Sequence, residues 1–169
     1  EISIRKGINI NPNLIVAHFN LGGILKDLGK WQEAFDSYLK VIEINPKFSN
    51  IYQCITRFIR DSDLSHLNKS KLKNILNFLL EKNDISHNEL FRAFRFLYKN
   101  QLITNQDNLD SSYTRLKLIS NEKLIVNALK KIIFKDAELE KILTKTRKYI
   151  CHRIAENTEI INHCELEFI

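Results

Sequence analysis

Apolar residues recur along the chain at helical spacing, in blocks separated by polar turns. Lys69 to Lys82 carries Leu72, Ile75, Leu76 and Leu79 at i, i+3, i+4 and i+7, one stripe on an otherwise polar helix. His87 to Lys99 predicts a second helix whose buried face is Leu90, Phe91, Phe94, Leu97 and Tyr98. Ser86 and Glu89 ahead of it have the spacing of a capping box, and Ile85 can staple onto Leu90. Asn121 to Phe134 turns Leu124, Ala128, Leu129 and Ile132 inward. Asp136 is placed to cap a long helix from Ala137 to about Glu156, with Leu139, Ile142, Leu143, Thr146, Ile150 and Ile154 on its inner face. Asn100 to Ser120 is polar and irregular. A loop is expected at Asn105-Gln106-Asp107-Asn108, Tyr113 to Ile119 is open, and Asn162-His163-Cys164-Glu165 has the pattern of a further helix cap. No alternating strand pattern competes, and only 4 Gly and 2 Pro occur, so the expected class is all-α.

The first third has a stronger organisation. Glu1 to Leu14 aligns with Phe35 to Phe48 at an offset of 34, with identities at Ser3/Ser37, Lys6/Lys40, Ile8/Ile42, Ile10/Ile44, Asn11/Asn45 and Pro12/Pro46. A period of 34 is that of a helix–turn–helix solenoid. Between the two prolines, Leu21-Gly22, Leu25, Ala34 and Tyr38 fall at the large, small and aromatic positions of a tetratricopeptide repeat, with Leu28-Gly29-Lys30-Trp31 as the turn. The segment therefore resembles that repeat, with His18 where Trp is common and Val41 where Ala is common. Small residues at Gly22 and Ala34 let two helices cross closely. Gly29 suits a left-handed cap, and Pro46 ends the second helix.

The period extends both ways. Glu1 to Ile10 is expected to be the second helix of a preceding repeat. After Pro46, Tyr52, Ile55 and Ile59 restart the first-helix pattern, which fails at Asp61-Ser62-Asp63; a degenerate capping pair is expected there. The expected organisation is tetratricopeptide repeats over 1–62 and a helical extension over 63–169, cut at its end. With Met 0 in the sequence, the chain is expected to be a piece of a longer protein.

A second resemblance rests on Leu124 to Asp136 and Leu139 to Thr144. This run is similar to the helical region of bacterial proteins in which a tetratricopeptide array leads to a C-terminal S-adenosylmethionine-dependent methyltransferase domain. It implies that any catalytic domain lies beyond residue 169. Gly7, Gly22, Gly23 and Gly29 are all used by helices and a turn, so no glycine-rich cofactor loop is present; no catalytic residue and no cofactor are expected within these residues.

Charge and cysteine content narrow the remaining chemistry. The net charge of +6 is spread along the chain and accompanies a bias to Ile, Asn and Lys, which argues against a nucleic-acid partner. Apolar runs such as Phe78-Leu79-Leu80 are far shorter than the roughly 20 residues of a membrane span. Three cysteines, Cys54, Cys151 and Cys164, have no disulfide or zinc spacing and suit a reducing, cytoplasmic setting. Cys151-His152 and His163-Cys164 are not expected to bind metal. Arg92, Arg95 and Lys99 lie beside aromatics, the pattern of an amphipathic helix with its charges in water.

The tetratricopeptide resemblance implies a protein or peptide partner on the face lined by the first helix of each repeat. The contacting positions map to Val16, Phe19, Asn20, Gly23, Lys26 and Asp27, and in the degenerate repeat to Asn50, Gln53, Arg57 and Arg60. Gln53, Arg57 and Arg60 share a helix face, so two guanidiniums could hold the carboxylate of an acidic peptide or chain terminus. A protein-interaction scaffold is the expected function, as part of a larger protein or as a stand-alone adaptor, with a nucleic-acid-binding helical protein as the lesser alternative.

Overall fold

The computed structural model describes residues 1–48, 50–103, 109–133 and 135–155, and of 109–112 and 153–155 the backbone alone. Among them the chain is α-helical without strands. The helices are α1 (Ile2–Ile10), α2 (Ile15–Asp27), α3 (Trp31–Ile44), α4 (Ile51–Asp61), α5 (Lys69–Leu80), α6 (Phe91–Leu102), α7 (Leu109–Asn121), α8 (Lys123–Lys131) and α9 (Ala137–Ala155). Short 3-10 turns at Leu64–His66 and His87–Leu90 precede α5 and α6. Tyr113 to Ile119, left open by the sequence pattern, is helical as part of α7. The expected loop at Asn105–Asn108, the features at Asn162–Glu165 and the inward side chain of Ile154 lie outside the described residues.

The most intimate helix pair is α2 with α3, and Gly22 explains why. A Cβ on Gly22 would sit 2.7 to 2.9 Å from three ring carbons of Tyr38, so only hydrogen fits between the ring and the helix backbone. Ala34 is fully buried in the same pair. The turn between them ends α2 with Gly29 at φ +70; Lys30 N–H donates to Leu25 O (2.9 Å) and Gly29 N–H to Lys26 O (3.0 Å). These are the two reverse bonds of a Schellman cap.

The 34-residue period is repeated in atomic detail. Asn11 Oδ1 accepts the Asn13 N–H (3.1 Å), and Asn45 Oδ1 accepts the Lys47 N–H (2.9 Å), so each repeat ends in the same Asx turn. His18 Nε2 donates to Pro12 O (2.8 Å), and the Tyr52 hydroxyl donates to Pro46 O. His18 and Tyr52 are themselves 34 apart, so one ring position ties each proline turn to the helix that follows it. His18, a departure from the common Trp, is thus accounted for by a polar bond.

Beyond α4 the regularity stops. The backbones of α4 and α5 do not approach as those of α2 and α3 do; α4 packs on α3, on the His87–Leu90 turn and on α6. The connection is built from polar caps in place of a glycine. Asp63 Oδ1 accepts the Ser65 N–H (3.0 Å) and hydroxyl (2.7 Å), and Asn68 Oδ1 accepts the Lys71 N–H (3.0 Å). The hydrophobic core nevertheless runs without interruption from Leu21 to Ile150, across both parts of the expected division.

Leu72, Ile75, Leu76 and Leu79 of α5 are all buried, as their spacing requires. In α6, Phe94 and Tyr98 are buried while Phe91 and Leu97 are half-buried. The capping box expected at Ser86 and Glu89 does not form. The Glu89 N–H donates to Ser86 O (3.1 Å) in the 3-10 turn, which leaves that amide unavailable to the serine hydroxyl. α8 is shorter than the expected Asn121–Phe134 and, with Leu124, Ile125, Val126 and Ala128 all buried, is covered on more than one side. Nor are the basic residues of α6 simply solvated: Arg95 and Lys99 reach Asp136 at 2.9 and 3.2 Å.

Asp136 caps α9 as expected, its Oδ1 accepting the N–H groups of Glu138 (3.1 Å) and Leu139 (3.2 Å). Burial pushes its carboxyl up, but the Leu139 N–H, Lys99 and Arg95 outweigh this and hold it below the usual range.

Two outcomes test this packing. Gly22→Ala forces the Tyr38 ring off α2 and lowers stability by about 1–3 kcal/mol in urea denaturation. Gly23→Ala, whose Cβ would stand 3.9 Å from Tyr38 Oη, is tolerated. A carboxyl depressed in the folded state contributes stability that is present above its unfolded value and lost as pH falls through the folded one. Asp136→Asn keeps a cap acceptor but loses the charge facing Arg95 and Lys99, so it costs about 0.5–1 kcal/mol near neutral pH, and the gap to wild type narrows below about pH 4, read from melting temperatures across pH.

Candidate partner-binding cavity

The helices α2 and α4 are brought to one cavity by α3. Phe58 of α4 is 2 % exposed and lies on the aromatic ridge of α3. It stacks on Phe35 (5.9 Å between centroids, 8° between planes) and meets Tyr38 edge-on (5.5 Å, 66°), with Trp31 at 6.3 Å. This fixes the rotation of α4. Ile51, Ile55 and Ile59 are buried, and the polar side of the helix turns toward Lys26 of α2.

The resulting cavity has a volume of about 460 Å³. Lys26 lines it from α2, Tyr38 from α3, and Asn50, Gln53, Cys54, Arg57, Phe58 and Asp61 from the α4 segment. Gln53 is steadied by its amide, which donates to Asp84 O (3.2 Å). Asn50 takes the left-handed conformation (φ 60), which asparagine tolerates better than most side chains, and its carbonyl accepts the Cys54 N–H at 2.9 Å.

Four of the ten sequence-derived positions, Lys26, Asn50, Gln53 and Arg57, meet in this cavity. The other six do not line it. Val16 is 56 % exposed on the first turn of α2, and Asn20 is exposed. Phe19 packs inward against Tyr38 (6.0 Å) and Phe48 (5.5 Å). Gly23 lies beside the Tyr38 hydroxyl, and Asp27 is exposed, 3.8 Å from Lys26. Arg60 points to Asp61, with Nε–Oδ1 at 2.7 Å and Nη2–Oδ2 at 3.0 Å, and its Nη1 reaches Glu89 at 3.3 Å. The two guanidiniums expected to act together are thus separated; the second cation in the cavity is Lys26.

Cys54 and Asp61 were not among the sequence-derived positions, yet they are the 34-residue counterparts of Asn20 and Asp27. Applying the period to every position would have found them. Phe58 corresponds to half-buried Ile24, so no groove position pointed to it.

Arg57 is the free charge of the site: it is exposed and makes no hydrogen bond or ion pair among the described residues. Burial pushes the Cys54 thiol up, against the opposing effects of the neighbouring Tyr38, Lys26 and Arg57 side chains. The thiol therefore stays protonated at neutral pH and is a poor nucleophile. Burial, reinforced by Cys54 and Asp27, likewise raises Tyr38. Both groups act as neutral walls.

Residues 15–48 match the family model of the tetratricopeptide repeat. This segment, α2 with α3 and the proline turn, is similar to a tetratricopeptide repeat. No curated protein and no solved structure gives a match to the chain, so nothing there corresponds to the methyltransferase side of the second resemblance. The tetratricopeptide repeat is a protein–protein interaction module. Among the described residues, no helix is long and apolar enough to cross a membrane, and no group of three His, Cys, Asp or Glu residues could hold a metal ion.

Proposed function

We propose that the chain is a protein-interaction scaffold whose partner seats an acidic segment, a carboxylate side chain or a chain terminus, in the cavity between α2 and α4. The observation that carries this reading is that Lys26 from α2 and Arg57 from α4 line the same cavity, with Arg57 engaged by nothing else among the described residues. A guanidinium with its hydrogen-bond donors free is suited to hold a carboxylate through two parallel bonds, and a nearby ammonium adds a second charge. Asp61, the one acidic side chain lining the cavity, already has both oxygens held by Arg60. Gln53 and Asn50 supply amides that can bond to a partner backbone, and Phe58 with the Tyr38 ring gives the cavity an apolar floor.

The test uses a fluorescein-labelled ten-residue peptide carrying four glutamates, with a glutamine counterpart as control, read by fluorescence anisotropy. Wild type is expected to prefer the glutamate peptide. Arg57→Glu is expected to weaken it by about tenfold or more, equivalent to about 1.4 kcal/mol, with an unchanged circular dichroism spectrum because Arg57 is exposed and unbonded. Equal binding of the two peptides by wild type would contradict the reading.

A further inference from the structure

Asp61 poses a problem for a cavity that takes acidic ligands, because its carboxylate lines the same cavity as Arg57 and Lys26. The surrounding geometry deals with that charge in a specific way. Arg60 holds both Asp61 oxygens, at 2.7 and 3.0 Å, and turns its remaining nitrogen to Glu89 at 3.3 Å. The backbone on each side of Asp61 is pinned from α6: Arg92 Nη1 donates to Arg60 O (2.6 Å) and to Ser62 O (2.7 Å). These carbonyls belong to the end of α4, where helix geometry leaves acceptors without partners. The corresponding pair one repeat earlier, Lys26 and Asp27, is looser at 3.8 Å, and Asp27 does not line the cavity.

We propose that Arg60 is a positioning residue that sets the charge preference of the cavity by neutralising Asp61, held in place by Glu89 and Arg92 from the region after residue 63. This rests on the acidic-segment reading above and deepens it: Arg60 acts through Asp61 and does not itself hold the ligand. Loss of Arg60 leaves a bare carboxylate beside the ligand position, and like charges brought together at an interface oppose binding. The side chains of Arg60 and Asp61 are 46 % and 59 % exposed, and exposed ion pairs contribute little to folding. The pair is therefore accessible to substitution without unfolding the chain. Glu89 and Arg92 also make the cavity's charge dependent on how α6 sits against the end of α4.

The experiment measures affinity of the four-glutamate peptide for wild type, Arg60→Met, Asp61→Asn and the double variant Arg60→Met/Asp61→Asn, at low and moderate salt. Arg60→Met is expected to bind about 3- to 10-fold more weakly, with the loss shrinking as salt rises. Asp61→Asn is expected to bind as wild type or tighter. The double variant is expected to match Asp61→Asn, because the charge that Arg60 offsets is gone. An Arg60→Met affinity equal to wild type overturns the proposal. So does a double variant as weak as Arg60→Met, which would mean that Arg60 touches the ligand or supports the fold directly. Wild type showing no preference for glutamate over glutamine would overturn the acidic-segment reading as well, and so separates that failure from a failure confined to Arg60.

Discussion

The docking of Phe58 against the aromatic ridge of α3 is the contact on which the rest of the arrangement depends. Three rings of α3, Trp31, Phe35 and Tyr38, receive one ring of α4. Aromatic pairs of this kind are each worth roughly 0.5–1.5 kcal/mol beyond the area they bury. Their greater consequence here is directional. With Phe58 seated, α4 cannot rotate, and Gln53, Cys54, Arg57 and Asp61 must face the end of α2. Tyr38 serves both sides of this joint. Its ring fills the space that Gly22 leaves on α2 and meets Phe58, and it lines the cavity together with Cys54. A single hydrogen atom at position 22 is therefore a condition for the site.

The helices after the repeat do more than close the core. α6 caps α4 through Arg92, and Glu89 steadies Arg60. Elsewhere Lys73 and the Tyr98 hydroxyl converge on Glu122 at 2.9 and 3.1 Å, linking α5 and α6 to the start of α8; burial pushes Tyr98 up to about 12. A solenoid end needs a cover that is polar outside and complementary inside. Here the cover is irregular, joined to the last repeat-like helix by side chain to backbone bonds as well as by a continuous core.

What could be read from the sequence was whatever depends on local spacing. Asn11/Asn45 and Pro12/Pro46 announce the period because an Asx turn followed by a proline needs those residues in that order. Gly29 announces the positive φ. The α5 stripe is legible because one face of one helix is buried. The features that spacing alone does not reveal have a different cause. Ser86 and Glu89 have capping-box spacing, but the 3-10 turn spends the amide on the Ser86 carbonyl. Arg57 and Arg60 share a helix face in projection, yet neighbouring Asp61 captures Arg60. Phe58 stands at a position filled by an aliphatic residue one repeat earlier, and its importance comes from three rings distant in sequence. In the first two cases a competing local bond, and in the third a partner distant in sequence, decides an outcome that periodicity does not show.

The claim that most needs a direct measurement is that the cavity between α2 and α4 is where an acidic partner segment sits. Two-dimensional NMR of the ¹⁵N-labelled chain, titrated with the four-glutamate peptide and then with its glutamine counterpart, addresses it residue by residue. The account predicts shifts concentrated at the Lys26, Gln53, Cys54 and Arg57 signals, with α8 and α9 undisturbed and little response to the glutamine peptide. Shifts centred on α6 to α9, or an equal response to both peptides, would contradict it.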